Sequence, residues 1–485
     1  MEKRVKEEKN FIILYKKFVY KYVLKLIGET VDTKMEEMFI DWFLEDEKFE
    51  ILSFDNSEKE LVFGVKKKMF FKVQLSNILS DDDIRLLKCI LNKYFKISIY
   101  NKSGKKQHEY ISNLNEKLNY EYAIQSGICN WVVGDERKLE KIENLFAILE
   151  SWSSKTYEGK NVSYGIVIDL KNEENDNDFS QYGSFLTFLN DEFSAVITDP
   201  ITSVFELSVN CKLLNYRTII DEKCTNYVEG YKLINNLPFR FSNIISKTVD
   251  SPDKIGIFLL NNGDIILAKD KQILFVKRNS HWLNFNIKAF NNSIKEFIAS
   301  NNVDQNLVNE VYSTALDVSF SHTGGIIAII PDENKILSTT NGGILDICDY
   351  ISSTEELKSL ENYLIEKNEK MADERKLSQD ELVSDINKKL LKRAIIKKML
   401  NENYEFTKIN RKLRSELVSL DGACIVNKEG IVCSFGAIIQ NDSGSTGGGR
   451  GAAAKKLSSN AMAIKISTDG YIEVYVNQRK KYVIK

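Results

Sequence analysis

Apolar positions change their period several times along the chain, and each change predicts an element. Ile84, Leu87, Ile90, Leu91 and Tyr94 recur at helical spacing, and Asp81, Asp82 and Asp83 before them suit the positive end of a helix. Through the first 120 residues or so, such patterns alternate with short strands. From Gly127 to about Asn286 the texture reads mostly as strands. Tyr164 to Leu170 is a β-rich run, and Ile255 to Leu260, Asn261-Asn262-Gly263-Asp264 and Ile265 to Leu267 make a hairpin signal. Lys271 to Arg278 is a further strand, ending at His281-Trp282, and Asn172 to Asp178 reads as an acidic surface loop.

Near residue 303 the pattern changes again. Leu307, Val311, Ala315 and Leu316 predict a helix over Val303 to Ser319. His322-Thr323-Gly324-Gly325 breaks it, and Ile326 to Ile330 predicts a buried strand. Glu355 to Leu417 is almost wholly helical in pattern. Lys388 to Arg414 holds ten basic residues against two acidic ones, which predicts a solvated face. Then Ala423 to Val426, a turn at Asn427 to Gly430, and Ile431 to Ile439 predict a hairpin. A helix opening at Ala452 and strands Met462 to Ile466 and Tyr471 to Val476 complete the chain. The prediction is an α/β protein. It comprises an α+β region over 1–125, a mostly β region over 126–302, and a mixed α/β domain over 303–485. This last has a central mixed sheet flanked by helices and a helical insertion over about 333–415.

Composition narrows the possibilities. A chain of 485 residues with 67 basic and 69 acidic side chains is long enough for two or three domains. It lacks the basic excess that a nucleic-acid coat needs, so no nucleic-acid site is expected. Seven cysteines without a Cys-x-x-Cys pair argue against a disulfide framework and for a reducing cytoplasm. His108, His281 and His322 are the only histidines, too few for histidine-rich metal chemistry. Lys16, Lys17, Lys21 and Lys25 interrupt the apolar stretch Phe11 to Ile27, so an amphipathic buried or partner-facing helix is expected there rather than a membrane span.

The strongest local signal is Gly444-Ser445-Thr446-Gly447-Gly448-Gly449-Arg450-Gly451, five glycines among eight residues. Such a segment makes a poor strand or helix but lets backbone N–H groups approach a ligand closely. The helix after it aims its positive end at the same place, and Arg450 adds a charge able to hold two phosphate oxygens. No Gly-Lys-Ser/Thr follows, so this is not a Walker loop. The second signal is Asp421-Gly422-Ala423 directly before a strand, where a carboxylate precedes two small residues.

The order Asp-Gly-Ala, hairpin, glycine-rich loop, helix, hairpin resembles the diadenylate cyclase family, over roughly residues 305 to 485. The family's Gly-Thr-Arg-His-Arg-Ala-Ala loop corresponds to Gly448, Gly449, Arg450, Gly451, Ala452, Ala453 and Ala454. The resemblance implies condensation of two ATP molecules into cyclic di-AMP with release of pyrophosphate, using Mg2+ or Mn2+. It implies Asp421 and Arg450 as catalytic residues, with Asp421 also the metal ligand. It implies nucleotide contacts from Gly422, Ala423, Thr446, Gly447, Gly448, Gly449 and Gly451. Because the product is two-fold symmetric, it also implies self-association that sets two such domains face to face. Thr156-Tyr157-Glu158-Gly159-Lys160 faintly resembles regulatory modules found ahead of such domains, so 126–302 is expected to act as a sensor. The chain departs from the family at Gly451 and Ala452, which stand for the histidine and second arginine, and at Ser459 and Asn460, which stand for a glutamate and an aspartate. Lys455 and Lys456 are the nearest replacement charges in the sequence. Two alternatives follow from these departures: a non-catalytic nucleotide-binding sensor, or a cyclase with a different nucleotide product.

Overall fold

The structure is a computed structural model. It describes residues 17–28, 35–37, 49–55, 60–65, 68–75, 79–103, 116–154, 156–157, 160–161, 164–170, 215–219, 237–260, 262–335, 365, 378, 380–381, 384, 404–439 and 448–485. The chain divides into two compact units, one of residues 1–295 with 481–485, the other of residues 296–480. Both mix helices with sheets, so the fold class is α/β as the pattern predicts.

In the first unit, strands β1 (Met35–Glu37), β2 (Phe49–Asp55), β3 (Glu60–Val65) and β4 (Lys68–Gln74) form an antiparallel sheet in the order β1-β4-β3-β2. Helix α1 (Asp81–Ser103) begins where the three aspartates predicted it. Asp83 Oδ2 accepts from the Ser80 amide at 2.9 Å and the Ser80 hydroxyl at 2.6 Å, while the Ser80 hydroxyl accepts from the Asp83 amide at 3.2 Å. This reciprocal cap explains the acidic run without a metal.

The stretch from Gly127, expected to be mostly strands, opens instead inside helix α2 (Glu116–Val133) and continues through α3 (Glu136–Ser153). The expected step at 125/126 falls within α2. Gly127 is not a breaker here: a Cβ on it would stand 2.5 Å from the Ile90 Cα, so its bare backbone lets α1 and α2 cross closely. Beyond these helices the β reading holds. Strands β5 (Thr156–Tyr157) and β6 (Lys160–Asn161) pair as a short hairpin. β7 (Tyr164–Asp169), β8 (Asn215–Ile219), β9 (Lys254–Leu259), β10 (Ile265–Lys269), β11 (Gln272–Arg278) and β12 (His281–Asn284) form an antiparallel sheet ordered β12-β11-β10-β9-β7-β8. The β9–β10 pair has Leu259 opposite Ile265, with the predicted Asn262-Gly263 turn between them. Ile255, Ile257, Leu267, Phe275 and Trp282 join residues of α1, α2 and α3 in one core. Phe18, Val19, Val23, Leu24, Leu26 and Ile27 belong to the same core, so the N-terminal apolar stretch is buried where it is described. Helix α4 (Phe239–Thr248) precedes β9. Among the described residues, no helix is long and apolar enough to cross a membrane. The expected loop Asn172 to Asp178 lies outside the described residues.

Helix α5 (Ile287–Asn301) leads to α6 (Gln305–Ser321), the axis of the second unit. Every residue from Val311 to Phe320 is buried, which an amphipathic surface helix never shows. The hydroxyls of Ser313, Thr314 and Ser319 are all engaged. Ser313 and Thr314 donate to the Glu310 carbonyl at 2.9 and 2.8 Å, and Ser319 donates to the Gly470 carbonyl at 2.5 Å. The sheet beside it runs β15-β14-β13-β16-β17-β18, built from β13 (Gly325–Ile330), β14 (Ala423–Asn427), β15 (Val432–Ala437), β16 (Met462–Ile466), β17 (Ile472–Val476) and β18 (Arg479–Ile484). β13 and β14 are parallel while β13–β16, β14–β15 and β16–β17 are antiparallel, so the sheet is mixed. All six residues of β13 are buried, the continuous apolar run expected of a strand covered on both faces.

Helices α7 (Arg411–Val418) and α8 (Gly449–Leu457) flank this sheet. Ile326, Ala328, Ile330, Ala423, Ile425 and Ala463 form one cluster with Ala454 and Leu457 of α8. The expected helical run to Leu417 is interrupted. Residues 404–406 lie against the start of β15, with the Phe406 amide donating to the Gly430 carbonyl at 2.7 Å and the Val432 amide to the Tyr404 carbonyl at 3.0 Å. Residues Phe406–Lys408 form a 3-10 turn before α7 starts. The expected solvated basic face also needs correction at its end. Arg411 donates from Nε to Asp317 at 2.6 Å and from Nη2 at 3.0 Å, and both side chains are buried. Arg414 pairs with Glu310 at 2.5 Å and lies 5.2 Å from the Phe406 ring. These two arginines pin α7 to α6.

Candidate active site

The parallel register of β13 and β14 begins at Ile326 opposite Ala423. Gly324 and Asp421, each two residues earlier, therefore enter the sheet at the same end, on strands about 4.8 Å apart. Gly422 has φ of +98°, and a Cβ there would stand 2.3 Å from the Gly436 carbonyl carbon and 2.4 Å from its oxygen. Only glycine satisfies both constraints, so the second residue of Asp-Gly-Ala is fixed by the β14–β15 crossing. Gly422→Ala is expected to cost about 2 kcal/mol or more of stability, read as a lowered denaturation midpoint. Ala423 is buried in the cluster that contains Ala454 of α8. Asp421 is exposed, and among the described residues no donor holds its carboxylate.

Helix α8 starts earlier than its alanines predicted, with Gly448 as N-cap and Gly449, Arg450 and Gly451 in the first turn. Asp304 caps α6 by accepting from the Asn306 amide, and Asn410 caps α7 by accepting from the Lys412 amide. No side chain caps α8. The amides of Gly449 and Arg450 have no acceptor among the described residues, and a Cβ added to Gly448 or Gly449 would meet nothing within 4 Å. Among the described residues, this is a helix start whose first donors are unmet and have nothing packed against them.

Arg450 reaches back over the strand ends. Its Nη1 lies 2.6 Å from the place a Cβ on Gly324 would occupy, and Gly324 has φ of +73°, so a side chain there is excluded twice. Among the described residues, no carboxylate pairs with Arg450. The surrounding rim is tied by Thr323 Oγ1 and Ser419 Oγ at 2.7 Å and by His322 Nδ1 and the Thr468 carbonyl at 3.3 Å. His322 is itself the left-handed C-cap of α6, a structural position, and His281 lies in β12. The structure thus gathers Asp421, Gly422, Ala423, Gly448, Gly449, Arg450 and Gly451 at one end of the sheet. Thr446 and Gly447 lie outside the described residues.

Sequence reasoning missed a group on the α8 side of the sheet. Lys465 of β16 and Glu473 of β17 are register partners, and the Lys465 ammonium donates to Glu473 Oε2 at 2.9 Å. Lys480 donates to Glu473 Oε1 at 2.7 Å and the Tyr475 hydroxyl to Oε2 at 2.9 Å. Burial by itself raises the Glu473 carboxyl, but the hydrogen bonds and charges of Lys480 and Lys465 outweigh it and hold it down at about 2. Burial, and then the Glu473 charge and its hydrogen bond, push the Tyr475 hydroxyl up. The available signal was a lysine and a glutamate inside the otherwise apolar strands Met-Ala-Ile-Lys-Ile and Ile-Glu-Val-Tyr-Val.

Because the folded carboxyl titrates below its ordinary 4.5, the unfolded chain binds the extra proton. The stabilisation is complete above pH 4.5 and is lost as pH falls towards 2. It amounts to at most about 3 kcal/mol. Glu473→Gln is expected to flatten stability against pH across that window, as read by denaturant titrations at several pH values.

Lys455 and Lys456 do not serve as replacement charges at the helix start, for they occupy the last turn of α8 and complement its negative end. Cys424 and Cys433 carry thiols pushed up by burial, the latter to about 12, and behave as core residues. No group of three or more His, Cys, Asp or Glu residues able to hold a metal occurs among the described residues. Asp421 alone fits a magnesium or manganese ion carried by one carboxylate, phosphate oxygens and water. Comparison of the chain with protein-family models, curated proteins and solved structures finds no match.

Proposed function

We propose that the second unit is a nucleotide cyclase that condenses two ATP molecules into cyclic di-AMP. The observation that carries this reading is the convergence of Asp421, the start of α8 without a side-chain cap, and Arg450, unpaired among the described residues, at one end of the sheet, beside the close glycine backbones of Gly324 and Gly422. In each of two identical steps, a ribose 3′-oxygen forms a bond to the α-phosphorus of the other ATP. The bond from that phosphorus to the bridging oxygen breaks, and pyrophosphate leaves. Asp421 orients the 3′-hydroxyl and accepts its proton. The amides of Gly449 and Arg450 and the Arg450 guanidinium neutralise phosphate charge, while Gly422 and Ala423 line the nucleotide with backbone. Asp421 would hold a magnesium or manganese ion, which would supply further neutralisation of phosphate charge. Two copies of the chain must face each other, each holding one ATP, and the first unit regulates that arrangement.

A second reading rests on Gly451 and Ala452. They leave Arg450 as the one cation in the first turn of α8, which favours a nucleotide-binding sensor without turnover. Incubation of the full chain with each nucleoside triphosphate and magnesium or manganese, followed by mass identification of products, separates the readings. Cyclic di-AMP from ATP is the expected result. Another cyclic dinucleotide corrects the base. Saturable ATP binding without product across protein concentrations and both metals overturns the cyclase in favour of the sensor.

A further inference from the structure

We propose that Lys465, held in place by Glu473, recognises the polyphosphate chain of the nucleotide and selects triphosphate over monophosphate. This inference rests on the proposed nucleotide site and supplies, from strand β16, a cation absent from the first turn of α8.

Lys465 stands on the α8 side of the sheet. Its neighbour on that face, Ala463, packs with Ala454 of α8, and a Cβ on Gly451 would come 3.9 Å from the Lys465 ammonium. The ammonium thus lies beside the helix start, next to the place a side chain at position 451 would occupy. Lys465 is opposite Ile326, two residues along β13 from Gly324, over which Arg450 reaches. Two residues of strand amount to about 7 Å, so the two cations flank one short stretch of β13.

The charge balance of the cluster points the same way. Glu473 is one carboxylate facing two ammonium groups, Lys465 and Lys480, at 2.9 and 2.7 Å. Taken alone, the cluster of Lys465, Lys480 and Glu473 therefore carries one net positive charge. An excess of half-buried positive charge is costly without an anionic ligand. Glu473 is the positioning residue, because three hydrogen bonds fix its oxygens and so the Lys465 ammonium. A lysine at an inward position of a buried strand also breaks the apolar pattern, as residues kept for binding do.

The test uses the full chain with magnesium, measuring binding of ATP, AMP and inorganic tripolyphosphate by calorimetry. Lys465→Met is expected to weaken ATP and tripolyphosphate at least tenfold and to leave AMP within about twofold. Lys465→Gln, which keeps a polar group against Glu473 but removes the charge, is expected to do the same. It decides the matter if Lys465→Met fails to fold. Tripolyphosphate affinity equal to wild type in the folded variant, or an equal loss of AMP, overturns the proposal, as does a wild-type protein that binds no tripolyphosphate. Product analysis keeps the two ideas apart. Cyclic di-AMP from wild type with unchanged Lys465→Met affinities removes only the lysine role. Selective tripolyphosphate loss with no cyclic product from wild type supports the lysine role and removes the cyclase.

Discussion

Asp421→Asn is expected to lose turnover by at least about 10²-fold while its affinity for ATP stays within about tenfold. Asparagine keeps the size of the side chain but can neither accept the 3′-hydroxyl proton nor supply an anionic metal ligand. The group acts mainly where charge and protons move, so the loss falls on the chemical step rather than on ground-state binding. Folding is not at stake, because Asp421 is exposed and makes no bond among the described residues. Its denaturation midpoint is expected to equal that of wild type. Product formation and ATP titration on the same preparation check the split between kcat and KM. Unchanged turnover would remove the role assigned to Asp421, and an equal loss of binding would recast it as a nucleotide anchor.

The largest effect on stability is expected at Asp317. Arg411 binds both oxygens of this carboxylate and also donates to the Ser313 carbonyl at 3.3 Å. The side chains are 5% and 6% exposed, so removing one partner leaves the other charged and cut off from water. Asp317→Ala is expected to cost about 3–5 kcal/mol. The double variant Asp317→Leu with Arg411→Met removes both charges, and its cost is expected to fall below about 1.5 kcal/mol or to become a gain. A double variant as unstable as Asp317→Ala would show that the pair is not the source of the effect. The four tryptophans, Trp42, Trp131, Trp152 and Trp282, all belong to the first unit, so their fluorescence does not report this transition. Denaturant-dependent hydrogen exchange of peptides from α6 and α7 does.

How much of this architecture could be read in advance depended on how local its cause was. The β9–β10 hairpin was legible because Asn262-Gly263 encodes its own turn. The strand Ile326 to Ile330 was legible because an isoleucine-rich run bounded by Gly325 and Pro331 has few other uses. Helix α2 was not legible past Gly127, because only the α1 crossing at Ile90 explains a glycine there. Residues 404–406 were misread as helix because their partner, the start of β15, lies some 25 residues later in the chain. Arg411 and Arg414 were read as solvated for the same reason, since Asp317 and Glu310 are distant in sequence.

The candidate site divides along the same line. By itself the sequence determined an α/β chain, an Asp-Gly-Ala turn ahead of a strand, and a glycine-rich segment ahead of a helix. Each is a local conformational requirement that a few residues state in full. The tertiary structure alone decided that Gly324 lies beneath Arg450, that Gly422 meets Gly436, and that Lys465 stands beside Gly451 with Glu473 behind it. Those placements follow from strand register. A period-2 pattern assigns side chains to faces of a strand but does not say which strand lies alongside or in what alignment. Asp421 and Lys465, about 150 Å apart in an extended chain, come to one end and one face of a single sheet only after β13, β14 and β16 have paired.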